Sequence, residues 1–276
     1  MTRFLYAIGF VAVAASVVAA QGLADNTAPP AATTTIATTT TATTTTPAPT
    51  PAPAPKSKPA PKSTRTTAAR VQTVFPAAGQ LLVSKVVVRR KPSPGAPAIK
   101  TMHMFRPDYR IQEILSVAAT LGSDGKPWYK ISVPMRPNGT MGWIPARSVS
   151  LSPTKGQIIV HRSSRTIDMY WNGKHALHAQ VAIGAPGMET PVGHYYVAAR
   201  FVPYQDPFLG VFAVETSAYS KLTEWPGGGV VGIHGTSAPQ LLGQAVSHGC
   251  VRMSNEAALV LKRLVPLGTP ITIVQG

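Results

Sequence analysis

Short apolar runs separated by turn residues dominate the chain from Leu81 onward, and long helical stripes are scarce. In the stretch 81–151 the runs 86–88, 109–115, 128–133 and 142–144 are set apart by Pro-Ser-Pro-Gly, Ser-Asp-Gly and Arg-Pro-Asn-Gly. Runs this short, broken by residues that fix or free φ, predict β-strands closing a small barrel or sandwich. Beyond residue 153 the apolar alternation resumes at 157–161, 165–171, 176–183, 195–200, 230–234 and 271–274. Asn172-Gly173 between two such runs predicts a tight hairpin. One helix is predicted, over 256–265, from Leu259, Leu261, Leu264 and Val265, with Ser254 and Asn255 as caps. A β-rich region with one short helix excludes a Rossmann fold and an α/β hydrolase.

The N-terminal part reads differently. Residues 4–20 are nearly unbroken apolar after Arg3 and end in the small side chains Val18, Ala19 and Ala20, with Ala24 as the alternative. This is the layout of a signal peptide over 1–24, or of an uncleaved signal anchor, and either places the rest of the chain outside the cytoplasm. Residues 25–75 are mostly Thr, Pro and Ala, which bury too little to repay chain entropy and predict a disordered linker. The expected domains are therefore 76–152 and 153–276. The 27 prolines and 7% aromatics, beside 44% apolar residues, agree that part of the chain does not pack.

The single cysteine, Cys250, excludes a disulfide framework and a thiolate metal cluster. It is either a buried inert thiol or a reactive one. His234 and His248 lie within 16 residues of it, and Gly235, Gly243 and Gly249 allow tight backbone whose amides can hold an oxyanion. Such surroundings favour an acyl-transfer nucleophile. Ser247 and Arg252 add polar contacts for an anionic substrate. His161, His175, His178 and His194 show no ligand spacing with acidic residues or with Cys250, so they read as surface or strand histidines, and neither a metal nor a cofactor is expected.

His234-Gly-Thr, Pro239, Gly243 and Ser247-His-Gly-Cys-Val-Arg-Met253 together resemble the signature of the L,D-transpeptidase catalytic domain. Ile183-Gly184, Thr190-Pro-Val-Gly193 and Tyr195 are similar to the family's preceding strand entry. The resemblance spans 154–276. It implies a β-sandwich-type catalytic domain, with Cys250 as nucleophile, His234 as general acid/base and the Gly235 carbonyl as the group that orients the imidazole. His248 looks like the family's second histidine, with Ser247 and Gly249 shaping the site and the oxyanion hole; its nearness to Cys250 leaves it a rival base. Substrate contacts are expected from Arg252, which otherwise serves a structural salt bridge, and from Thr236. Tyr219 and Trp225, with Gly227-Gly-Gly229, form either a flap over the thiol or an ordinary loop.

The implied reaction joins peptidoglycan stem peptides, donor and acceptor, in 3-3 crosslinks through a Cys thioester, with release of D-Ala. Acylation by carbapenem-type inhibitors is also implied. The alternatives are an L,D-carboxypeptidase, a papain-like wall peptidase, whose histidine should lie well downstream of the cysteine, and a non-catalytic wall-binding protein. Within 76–152, a Val-Arg segment, a Trp-Tyr-Lys-Ile strand and a Gly-Trp-Ile strand resemble a bacterial SH3-like domain, in which Trp128 and Trp143 pack the core or form a ligand platform. Charge completes the picture. The chain carries +16, and eleven basic residues with no acid lie between Asn26 and Arg106. On an exported chain this basic stretch points to anionic wall polymers or membrane and not to nucleic acid.

Overall fold

A computed structural model of the chain describes residues 71–276 apart from Gln205 and Trp225. The signal segment 1–24 and the linker as far as residue 70 lie outside the described residues. Residues 71–75, read as the end of that linker, lie against the first sheet: Val71 and Phe75 pack on its core and the Gln72 amide donates to the Tyr129 hydroxyl.

The first sheet has seven strands: β1 (Ala77–Leu81), β2 (Lys85–Arg89), β3 (Ala98–His103), β4 (Glu113–Leu121), β5 (Pro127–Ser132), β6 (Met141–Pro145) and β7 (Val149–Pro153). They lie in the order β3-β2-β6-β5-β4-β1-β7, each pair antiparallel. Alternation places Val86 and Val88 of β2, with Ile114, Tyr129, Ile131 and Ile144, in one apolar core. Trp128 is buried and its indole N–H donates to Asp124 Oδ1 at 3.0 Å, while Trp143 is half-buried. The run expected at 109–115 starts late. Tyr109 takes a positive φ of 63° in a turn and is exposed, so the strand begins at Glu113.

Ten strands and one helix follow: β8 (Gly156–His161), β9 (Thr166–Trp171), β10 (Lys174–Gln180), β11 (Ile183–Gly184), β12 (Gly193–Phe201), β13 (Ala213–Tyr219), β14 (Val230–His234), β15 (Ala245–Ser247), β16 (Val251–Arg252), α1 (Asn255–Leu264) and β17 (Pro270–Val274). Eight of these strands make one mixed sheet in the order β10-β9-β8-β17-β12-β13-β14-β16, and β11 pairs separately with β15. The fold is mostly β, as expected. Asn172 (φ 49°) and Gly173 (φ 74°) turn β9 into β10, the left-handed pair a two-residue hairpin requires. Ser254 caps α1 by accepting from the Ala257 amide at 3.2 Å. The helix stripe differs from the expected one: Ala257, Ala258 and Leu261 enter the core, whereas Leu259 is exposed. Small alanines there let the helix approach the sheet closely.

The two sheets meet through β4, β12 and β13. Leu115, Tyr196 and Ala198 pack together, and the Tyr196 hydroxyl donates to the Glu113 carbonyl at 3.1 Å. Fully burying a side chain such as Leu or Phe contributes about 2 kcal/mol, so this small patch matters. Glu215 of β13 accepts from Arg106 and Arg110 at 2.5 and 2.6 Å. The Glu113 carboxyl is itself buried, and desolvation pushes its pKa up to about 7, opposed by a hydrogen bond with the Gln80 side chain. In the unfolded chain this carboxyl ionises near its ordinary 4.5, while the fold keeps it protonated to about 7. Stability from this group is therefore complete at low pH and lost as pH rises through 7. Melting temperatures taken at pH 5 and pH 8 are expected to fall more steeply in the parent than in Glu113→Gln; equal slopes would refute the buried acid.

Candidate active site

Strand period two sends Val231 and Ile233 of β14 into the core and leaves Val230, Gly232 and His234 on the opposite face. β16 joins β14 in parallel register, Ile233 against Val251 and His234 against Arg252. The residue before β16, Cys250, consequently falls beside Gly232, whose amide N–H donates to its sulfur at 3.3 Å. A methyl added to Gly232 would stand 3.6 Å from His234 Cδ2 and 3.7 Å from Cys250 Sγ. Thiol and imidazole thus both border the space that one glycine leaves open. Of the two histidines, His234 is the one whose place beside the sulfur is set by the sheet. His248 sits half-buried in the loop 248–250.

His234 is 1% exposed, and its Nδ1 lies 2.6 Å from the Gly235 carbonyl oxygen. A carbonyl only accepts, so Nδ1 carries the proton and Nε2 keeps the lone pair. That Nε2 is buried with no hydrogen-bond partner. Burial pushes the imidazole pKa down to about 4, and the charge of Arg252 adds to this, against the Gly235 carbonyl and Asp206. Burial also raises the thiol of Cys250, against the Gly232 amide and Arg252, which favour its anion. At neutral pH the pair rests as thiol and neutral imidazole, with the base poised through Nε2.

The surroundings lock this arrangement. Ser247 Oγ accepts from the Gly249 amide at 3.1 Å and donates to the Cys250 carbonyl at 2.6 Å, tying the loop to itself. The Gly249 amide, expected at the oxyanion, is committed to this turn. Gly249 has φ 116°, and a side chain there would meet Ser220 Cβ at 2.9 Å. Thr236, expected to touch substrate, is buried and accepts from the Ala238 amide at 3.0 Å. The Arg252 guanidinium lies 4.4 Å over the Phe208 ring, which in turn stands 5.9 Å from the His234 ring. Among the described residues no carboxylate pairs with Arg252, so the salt bridge considered for it has no partner there.

Four further residues serve the site that sequence reasoning did not assign to it. Gly232 and Phe208 flank the imidazole as described. Asn255 Oδ1 accepts from the Val211 amide at 3.2 Å, and a Cβ on Gly235 would come within 2.3 Å of that oxygen. Gly210 (φ 66°) packs on the same atom. The only sequence signal for Asn255 was its place beside a helix cap.

Tyr219 ends β13, with Arg136 lying 4.7 Å over its ring. Asn138 bonds both the Tyr219 amide and carbonyl, at 3.0 and 2.7 Å, and Arg136 Nη2 donates to the Ser220 and Gly228 carbonyls, each at 2.9 Å. The segment read as either a flap or an ordinary loop is therefore held at both ends by the turn between β5 and β6. Trp225 lies outside the described residues. A cleft of about 730 Å³, lined by Arg136, Asn138, Arg162, Glu189, Tyr219 and Ser220, opens beside this segment. Ser220 connects it to the loop carrying Cys250. Away from the site, the expectation that no acidic residue accompanies the histidines needs correcting, because His161, His175 and His178 all reach Asp168.

A neutral resting thiol has a measurable consequence. Alkylation of Cys250 by iodoacetamide should rise with pH along a single curve whose midpoint lies above that of free cysteine. A reactive plateau below pH 7 would instead reveal a preformed thiolate and overturn the assignment of protons.

A family model of the L,D-transpeptidase catalytic domain matches residues 155–273. The chain is 32% identical over 116 residues to YkuD of Bacillus subtilis (strain 168), a protein carrying an L,D-transpeptidase name, and 32% identical over 117 residues to its namesake in Bacillus licheniformis. These alignments cover 42% of this chain and 64% of each relative, so the chain spans less than two thirds of their length. A solved structure of an L,D-transpeptidase from Mycobacterium tuberculosis H37Rv aligns with TM-score 0.41 and 16% identity, over 74% of this chain and 97% of that one. The segment 155–273, which brings His234 on β14 close to Cys250 at the start of β16, is thus similar to the L,D-transpeptidase catalytic domain.

Proposed function

We propose that this chain is a cysteine-dependent L,D-transpeptidase that forms 3-3 crosslinks between peptidoglycan stem peptides. The observation that carries the reading is that Cys250 and His234 both lie against Gly232, with the free lone pair of His234 on Nε2. Cys250 attacks the carbonyl joining the third stem residue to its terminal D-Ala as its proton passes to Nε2. Attack and proton transfer are coupled, because burial disfavours both the free thiolate and the imidazolium. The imidazolium then protonates the departing D-Ala amine, leaving a thioester on sulfur. The side-chain amine of a second stem attacks that thioester, losing its proton to the same Nε2, and the thiol is restored. With the Gly249 amide engaged by Ser247, the oxyanion role passes to the amide of Cys250.

The cleft suits such a donor. Arg162 lines it with a buried Nε that has no hydrogen-bond partner, and a stem carboxylate would satisfy that donor. Arg136 and Asn138 hold the segment 219–229 over the cleft, which gives the first sheet a part in the site. A strained β-lactam carbonyl of a carbapenem is open to the same sulfur. Stem peptides lie outside the cytoplasm, the side to which the apolar segment 4–20 directs the chain, and the basic linker then meets anionic wall polymer.

Cys250→Ala is expected to abolish D-Ala release and 3-3 dimer formation from purified tetrapeptide fragments, with melting unchanged; retained turnover would refute the reading. Running the assay with and without an acceptor stem separates crosslinking from hydrolysis, and meropenem should add one mass increment that the same variant lacks. Gly232→Ala should fold normally, since its methyl meets only ordinary contacts, yet lose at least about tenfold in acylation by intruding between base and nucleophile. Unchanged acylation in that variant would count against His234 as base.

A further inference from the structure

The opposite end of the large sheet from Cys250 carries a second convergence of reactive side chains. Asp168 lies on β9 with its carboxylate largely shielded, and its Oδ1 is 2.7 Å from His175 Nε2 and 2.8 Å from His178 Nδ1. Its Oδ2 is 3.3 Å from His161 Nε2. The three histidines come from strands on either side, one from β8 and two from β10.

Register explains how they share a face. Asp168 is opposite His178 on β10 and opposite Ile159 on β8, so His161, two residues on from Ile159, points the same way. His175 and His178 are three apart and should face opposite sides of a regular strand. A bulge between His175 and Leu177 shifts the register, pairs His175 with Tyr170 and returns it to the face of Asp168. Its ring packs edge-on against Tyr170, with centroids 5.2 Å apart, which limits its rotation.

We propose that Asp168, His161, His175 and His178 form a binding site for a divalent zinc-type ion. Three neutral imidazoles and one carboxylate are a donor set suited to Zn²⁺ in tetrahedral geometry. A tetrahedral ion with bonds of about 2.0–2.1 Å holds its donors roughly 3.3 Å apart. The donors of Asp168, His175 and His178 lie within 4.8 Å of one another, so they close on an ion by side-chain adjustment alone. Among the described residues no other group of three such side chains converges in this way. Exposed histidine–carboxylate contacts contribute at most about 1 kcal/mol each, a small return for ordering three rings around one acid. An ion linking them would clamp the outermost strand, β10, across β9 to β8 and protect the edge of the sheet.

The test titrates Zn²⁺ into the chelator-treated full chain by calorimetry, in parent, Cys250→Ala and His175→Gln/His178→Gln forms. One equivalent is expected in the parent and in Cys250→Ala, with affinity at least about tenfold weaker in the double histidine variant. Co²⁺ substitution should give visible tetrahedral bands without a thiolate charge-transfer band. Absence of binding at 100-fold excess of Zn²⁺, or binding lost in Cys250→Ala and kept in the histidine variant, would overturn the proposal. Circular dichroism without metal checks that the double variant is folded, and Asp168→Asn with the same loss of affinity supports the assignment if it is not.

Discussion

The parallel pairing of β14 with β16 is the constraint on which the candidate site depends. β16 is only two residues long, and its register is fixed by Ile233 and Val251, both fully buried in the main core, together with the Met253 amide bonded to the His234 carbonyl at 2.8 Å. A slip of β16 by one residue would turn Val251 outward and carry the sulfur away from Gly232. The packing free energy of the core thereby sets the place of Cys250 relative to His234. Positioning of this kind needs no charge on either group, which suits a site where His234 is buried and Cys250 half-buried.

Burial is also what decides the protons. Arg252 pulls the pKa values of His234 and Cys250 the same way, down, because a cation opposes imidazolium and favours thiolate. For the histidine this agrees with desolvation; for the cysteine the two oppose, and desolvation wins. The outcome is a thiol that is neutral at rest, which suits the proposed attack in which a substrate carbonyl receives the developing charge. Holding Nδ1 on the Gly235 carbonyl is essential to this, since the other tautomer would leave a proton and not a lone pair on Nε2. The close fit of Gly235 and Gly210 against Asn255 keeps that carbonyl in place.

Much of this was legible in the residues. Alternation located most strands of the large sheet, Asn172-Gly173 its hairpin, and the segment 234–253 the residues that gather around the sulfur. What escaped has physical reasons. β13 reads Ala-Val-Glu-Thr-Ser-Ala-Tyr and carries little apolar signal, because its buried Thr216 and Ser217 are satisfied by the Val231 carbonyl and the Tyr196 amide, at 2.8 and 3.1 Å. β3 is an edge strand with only Met102 buried, so its sequence has no alternation to show. Gly232 acts through the absence of a side chain, which no spacing rule flags. The histidines around Asp168 escaped because a bulge rewrites strand parity, and spacing rules assume that parity holds.

The link between the two sheets bears on how the molecule divides its labour. Had the first sheet been an independent wall-binding module, its contacts with the second would be expected to be few and polar at the rim. Instead Tyr196, fully buried, reaches from the second sheet to the Glu113 carbonyl, Glu215 gathers two arginines from the loop between β3 and β4, and Arg136 and Asn138 supply hydrogen bonds to backbone at both ends of the segment 219–229. That segment packs through Ser220 against Gly249, one residue from the nucleophile, where a positive φ leaves no room for a side chain. A displacement of the β5–β6 turn would therefore be felt at the loop that carries Cys250. Through Arg136, Pro137 and Asn138 the first sheet forms one wall of the cleft.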